Sequence, residues 1–382
     1  MTKQEVLNFY RGKKVLVTGP TGFKGSWLVK ILKMAGAEVV GYSLEPPTDP
    51  SLFNLAGLSD GIEHVVGDIR DYDKLNQLFD VSKPEIVLHL AAQPIVRTSY
   101  DLPRYTYETN VMGTVNICEC VRTHMADPEH PENGVVRSFL NVTTDKVYKN
   151  NEWIWGYREN EPLDGFDPYS NSKSCSELVT HSYINSFFGG NFIDAPIAVS
   201  TARAGNVIGG GDFAADRIIP DCVRAVENDD PIIIRNPNST RPYQHVLEPL
   251  FTYLTVAAEQ SIDHKKAGYY NVGPDDCDCV TTGELVELFE KYYNNVSVCS
   301  ETGNAVKTKF RSEINHDANA PHEANFLKLD TSLVKSTFGW KPTWHIDEAI
   351  EKTVEWSRVY LDNGDSNAIN TIMQKQIEEF IQ

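Results

Sequence analysis

The sequence predicts an α/β fold: a Rossmann-type doubly wound parallel sheet carrying a smaller, mostly helical C-terminal lobe. Three observations predict it. Short β-branched runs alternate with helical patterns over residues 1–200, glycines spaced GxxGxxG follow the first run, and beyond residue 200 the alternation loosens. Strands alternating with helices form right-handed crossover units, which build a parallel sheet covered on both faces.

Taken in order, Lys14-Val-Leu-Val-Thr18 reads as a buried strand, and the helical pattern from Ser26 to Ala35 as the helix it feeds. Glu38-Val-Val-Gly-Tyr-Ser43 is the second strand, and Tyr72 to Phe79 a helix. Glu85-Ile-Val-Leu-His-Leu90 is a strand, Tyr105 to Arg122 one long helix, Val136 to Val142 a strand and Ser170 to Phe187 a helix. Gly, Pro and Asn then cluster at Gly205–Gly211 and Asn236–Pro242, and the last stretch is helical and polar. The expected organisation is a nucleotide-binding domain over 1–200, with 243–275 returning to it. Residues 201–242 and 276–382 form the second lobe, closing over the carboxyl ends of the strands, where open α/β sheets bind ligands.

Charge narrows the function. The 382 residues hold 35 basic and 53 acidic side chains, a net charge of −18. That excess excludes a general nucleic-acid binder and adsorption to anionic membranes. No apolar run reaches the roughly 18 residues of a membrane span, and residues 1–14 lack a signal-peptide stretch. Cys118, Cys120, Cys175, Cys222, Cys277, Cys279 and Cys299 form no CxxC pair, so free thiols in a reducing cytoplasm, and no metal site, are expected.

Gly19-Pro-Thr21-Gly22-Phe23-Lys24-Gly25 links the first strand to the first helix. Such glycines permit a tight turn and close backbone approach to a pyrophosphate seated on the helix N-terminus; a purely structural turn is the alternative. No Lys or Arg lies between Glu38 and His64 to receive a 2′-phosphate, which favours NAD over NADP. Asp68, before Ile69, is either an acceptor for the adenine amino group or the N-cap of the helix at Tyr72.

Tyr169-Ser-Asn-Ser-Lys173 puts a phenol and an ammonium on one helical face. An adjacent ammonium and an oxidised nicotinamide lower a phenol's pKa by roughly three units, which makes it a base for a sugar hydroxyl. Thr143-Thr144-Asp145-Lys146 follows a strand at its carboxyl end. An acid beside an amine suits a β-elimination, with a polar turn as the plainer reading. Five arginines (203, 217, 224, 235 and 241) and no lysine occupy residues 201–245, and guanidinium forks match phosphate oxygens. Trp153 and Trp155 either flank a sugar pocket or pack a loop.

These segments resemble an extended short-chain dehydrogenase/reductase of the nucleotide-sugar dehydratase group. The likeness also runs through Gly22-Phe-Lys-Gly-Ser-Trp27, Ala91-Ala92-Gln93-Pro94, Thr109-Asn110-Val-Met-Gly-Thr114 and Glu152-Trp-Ile-Trp-Gly-Tyr-Arg-Glu159. It continues in Arg203-Ala-Gly-Asn206-Val-Ile-Gly-Gly-Gly-Asp212, Arg241-Pro-Tyr-Gln-His-Val-Leu-Glu-Pro249 and Pro321-His322-Glu-Ala324. The resemblance implies NAD held by the glycine loop, Asp68, Ile69, Ala91, Ala92, Gln93, Asn110, Tyr169 and Lys173. It implies Tyr169 and Lys173 as the oxidation pair, Thr144 on the sugar 4-hydroxyl, Asp145 as acid and Lys146, where related dehydratases carry glutamate, at the C5 proton. The most similar branch implies a CDP-sugar substrate held by Asn206, Arg217, Arg235, Arg241, Asn271 and His322, and a homodimer. Pro20 departs from the histidine more common in this loop and lacks an N–H donor. Within enzymes the alternative is another dehydratase or a 4-epimerase; outside them, a non-catalytic dinucleotide sensor.

Overall fold

The computed structural model describes residues 1–126, 135–189, 196–234, 236–295, 309–314, 326–362 and 364–382. At its centre lie seven strands: β1 (Lys14–Thr18), β2 (Glu38–Ser43), β3 (Glu63–Val66), β4 (Ile86–His89), β5 (Ser138–Thr144), β6 (Ala198–Ala204) and β7 (Tyr269–Val272). All neighbours pair in parallel, in the order β7-β6-β5-β4-β1-β2-β3. The chain winds outward both ways from the β1–β4 junction, so a crevice opens at the carboxyl ends there. Strands β4, β5 and β6 are buried throughout, as expected of a sheet covered on both faces.

Helices α1 (Phe23–Ala35) and α5 (Leu247–Ile262) cover one face with Trp27, Leu28, Leu250 and Leu254. Helices α2 (Tyr72–Ser82), α3 (Gly113–His124) and α4 (Pro168–Ser186) cover the other with Leu75, Phe79, Ile117, Val121 and Ile184. Helix α1 starts three residues before its expected first turn, directly on Gly22, and stops at left-handed Gly36. The single helix expected over 105–122 is instead a short helix (Pro103–Tyr107), a π-helical turn (Glu108–Met112) and α3.

Helices Ile218–Asn228, Thr282–Asn295 and Ile346–Asp362 share a separate core of Ile219, Cys222, Phe289, Phe310 and Ile350. The expected boundary fails at one end. Helix Ser366–Ile381, assigned above to the second lobe, delivers Ile369, Met373, Ile377 and Phe380 into the core around Trp27 and Phe251. Its apolar stripe finds the back of α1 rather than the second lobe. Among the described residues no helix is long and apolar enough to cross a membrane.

Candidate active site

One large cavity, about 1830 Å³, lies along the carboxyl edge of the sheet and takes walls from both lobes. A drug-sized ligand needs roughly 300–1,000 Å³, so this volume suits two ligands placed end to end.

Its nucleotide end is shaped by backbone. Gly19 has φ 74°, and a Cβ there would press on Ala91. A Cβ on Gly25 would come within 2.0 Å of the Gly19 carbonyl oxygen, so the loop closes only with glycine there. Gly19, Thr21, Gly22, Phe23, Lys24 and Gly25 all line the cavity, with Asp68, Ile69, Ala91, Ala92 and Gln93. Asp68 is not the helix cap; that is Asp71, which accepts from Lys74 N. Asp68 instead holds Arg70 at 2.6 Å, an ion pair that keeps its carboxyl below the usual range.

Asn110 is a correction. It does not line the cavity and is buried behind it, where Oδ1 accepts from Gln93 N at 2.8 Å while Nδ2 donates to Gln93 O at 3.1 Å and to Ser172 Oγ at 2.9 Å. The π-helical turn carries it. Sequence reasoning passed over Ser43 and Arg97, which also line the cavity. Arg97 reaches across to Asp216 at 3.0 Å, a pairing of distant segments that no local motif marks.

The reacting end combines β5 and α4. Asp167 caps α4 by accepting from Ser170 N, and Tyr169 and Lys173 follow on the face turned to the cavity. Lys173 is buried and donates from Nζ to Val142 O at 3.0 Å. Burial pushes it down to about 8, against the pull of Glu177. In the chain alone, burial pushes the Tyr169 hydroxyl up to about 12, although a hydrogen bond with Thr144 opposes this. Desolvation therefore outweighs its charged neighbours in the chain alone. Lys24 stands in the same field, brought down to about 7 by burial and by nearby Arg217.

Thr144 and Lys146 form the cavity wall, whereas Asp145 is wholly buried one layer behind. Asp145 Oδ1 accepts from Thr144 Oγ1 at 2.9 Å and from Lys146 Nζ at 3.3 Å; Oδ2 has no partner among the described residues. Lys146 Nζ also donates to Asn206 Oδ1 at 3.4 Å.

Toward the second lobe, Asn206, Arg217 and Arg241 line the cavity. Arg217 is held by Asp212 at 2.8 Å, and Arg241 donates to Thr240 O at 2.9 Å. Asn271 is the second correction. It is buried outside the cavity with its amide fully engaged, accepting from the Tyr148 hydroxyl at 2.6 Å and donating to Tyr157 O and Asp330 O. Arg235 and His322 lie outside the described residues. Arg203 is buried on Glu177 and Arg224 ties backbone carbonyls to Asp221. Trp153 stacks on Tyr157 and Trp155 packs edge-on against Trp153, so neither lines the cavity. Elsewhere Cys277, Asp278 and His345 bring ligand atoms within 4.8 Å of one another. Asp278 there caps helix Ile346–Asp362, accepting from Ile346 N at 2.9 Å and bonded to His345 Nδ1 at 2.8 Å.

A 3-2-1-4-5-6-7 parallel sheet with a glycine loop at the switch point and a Tyr/Lys pair one strand away defines an extended short-chain dehydrogenase/reductase. The family model for GDP-mannose 4,6 dehydratase matches residues 16–353, and the chain belongs to that family. It is 45% identical to the CDP-glucose 4,6-dehydratase of Salmonella typhimurium over 360 residues, covering 94% of each chain. It is 27% identical to the dTDP-D-glucose 4,6-dehydratase of Mus musculus, covering 92% of this chain and 90% of that one. Among solved structures, dTDP-glucose 4,6-dehydratase from Bacillus anthracis in complex with NAD has a TM-score of 0.69 at 21% identity, covering 92% of this chain and 97% of that one. UDP-glucose 4-epimerase from Thermotoga maritima has a TM-score of 0.72 at 20% identity, covering 91% and 99%.

Proposed function

We propose that the protein converts CDP-glucose to CDP-4-keto-6-deoxy-D-glucose and water, using NAD that is restored each turn. The observation that carries this is the meeting of Tyr169, Lys173, Thr144 and Lys146 in one cavity, with Asp145 directly behind. A 4-epimerase has no need of an acid and an amine beyond the Tyr/Lys pair.

The residues present fit NAD. The Gly19–Gly25 cradle, which a Cβ on Gly25 would fill, faces the helix N-terminus where a pyrophosphate is stabilised by backbone N–H groups. Gly22, Phe23, Asp68, Ile69, Ala91, Ala92, Gln93 and Lys173 would hold it, with Asn110 fixing Gln93 from behind. Bound there, NAD supplies a cationic ring that favours the Tyr169 phenolate and reversible storage for the hydrogen that leaves C4 and returns at C6.

The chain does the rest. Thr144 orients the 4-hydroxyl and Tyr169 takes its proton. The resulting ketone acidifies the C5 proton, which Lys146 removes. Asp145, in its acid form, supplies the proton for the departing 6-hydroxyl along Thr144; Lys146 then returns to C5 the proton it took, and the proton held by Tyr169 restores Asp145. Arg217 and Arg241 hold the diphosphate, supported by Asn206. Exposed Tyr107, Met112 and Leu178 on the helices beside Asn110 and Tyr169 support a homodimer. The free cysteines support a reducing cytoplasm.

Incubation with CDP-, dTDP-, GDP- and UDP-glucose plus NAD tests the reading. CDP-glucose should give a 4-keto product without net NADH; no turnover on any of the four overturns it.

A further inference from the structure

Tyr253 sits in the middle of α5, the helix packed across β5, and is completely buried. Buried tyrosines nearly always satisfy their hydroxyl. The Tyr253 hydroxyl has no partner among the described residues, and neither has Asp145 Oδ2. A buried donor on the helix packed across β5 and a buried acceptor directly after that strand are thus both unpartnered. Besides burial, the titratable groups that bear on the phenol are Tyr169 and Asp145. Lys24 closes the same space, its Nζ 6.0 Å from the Tyr253 ring. Burial also holds the phenol far above its ordinary pKa, so it keeps its proton and is a permanent donor.

We infer that Tyr253 is a positioning residue for the elimination step: its O–H reaches Asp145 Oδ2 through one bridging water, and so aims Oδ1 at Thr144 and Lys146. This rests on the dehydratase reading above. Without that anchor, Asp145 has, among the described residues, only the two hydrogen bonds on Oδ1 to fix its rotamer, and both donors belong to neighbours in sequence. The geometry fits this role because Thr144 and Lys146 face the cavity while Asp145 does not. A carboxyl acting from the layer behind must have a fixed orientation to deliver its proton along Thr144.

The test uses the full chain with two readouts. Tyr253→Phe removes one oxygen and keeps the ring, so packing is retained. In rapid mixing of wild type and variant with NAD and CDP-glucose, the variant should lose water about tenfold more slowly or worse. The rate of C4 oxidation and the KM should stay within about twofold. Unchanged water loss, or an equal loss of oxidation and elimination, overturns the proposal. Thermal unfolding of the chain without cofactor gives the second readout, through Tyr253→Phe, Asp145→Ala and the double variant. Paired groups give a double-variant Tm shift smaller than the sum of the single shifts; additive shifts overturn the pairing. If wild type turns over no nucleotide sugar, the dehydratase reading falls by itself, and the unfolding cycle still decides whether Tyr253 and Asp145 are partners.

Discussion

Asn110 grips the backbone of Gln93 from both sides, accepting from its N–H at 2.8 Å and donating to its C=O at 3.1 Å. The π-helical turn at Glu108–Met112 presents this side chain, a placement typical of such turns near functional sites. Asn110→Ala leaves both backbone groups without partners, each costing about 1–3 kcal/mol when buried. The variant should unfold at a lower temperature and bind NAD about tenfold more weakly, as read by calorimetric unfolding and titration.

His89 pairs its Nδ1 with Thr18 Oγ1 at 2.7 Å, and burial beside Lys173 pushes it down to about 3 from 6.5. Buried His245 is likewise pushed down to about 3. Because the folded values lie below the unfolded ones, the unfolded chain takes up protons first as pH falls from 6.5 towards 3. Stability is therefore full above that window and lost within it, by roughly 2–4 kcal/mol per histidine. Urea unfolding across the window should show a shallower loss in His89→Asn than in wild type.

Glu177 stands one turn beyond Lys173 and is fully buried against Arg203 at 3.0 Å. Its carboxylate also accepts from Thr143 and Thr201. Arg203→Met should destabilise by about 3 kcal/mol, since it leaves a buried charge without its counter-ion. Arg203→Met together with Glu177→Gln should recover part of that loss in the same unfolding assay.

Lys146 touches both Asp145 and Asn206 from the cavity wall. Lys146→Ala should retain C4 oxidation yet slow water loss by about a hundredfold or more. Reduced-nicotinamide absorbance would then build up in rapid mixing. Normal elimination would remove Lys146 from the C5 proton.

The first βαβ unit was legible because its signals are local. β1 and β2 match the predicted runs residue for residue, and the glycine loop declares itself by steric need at Gly25. What stayed hidden depends on partners far along the chain. The π-helical turn forms where Asn110 meets Gln93 and Ser172, so periodicity over 105–122 could not show it. Asn271 carries the residue type of a ligand contact, but Tyr148 and Tyr157 consume its amide. Spacing placed Asp145 and Lys146 together; it could not show that the short 3-10 turn after β5 buries one and leaves the other on the wall. The dehydratase family itself was legible from motifs that survive as short contiguous stretches.

The packing of Ser366–Ile381 has a consequence for biosynthesis. Ile369, Met373 and Ile377 complete a core otherwise shared with Trp27, Leu250 and Leu254. On the ribosome, the first crossover units emerge long before this helix does. Helix α1 then presents an uncovered apolar flank throughout translation of the second lobe, and it is during that interval that chaperones have their natural point of engagement.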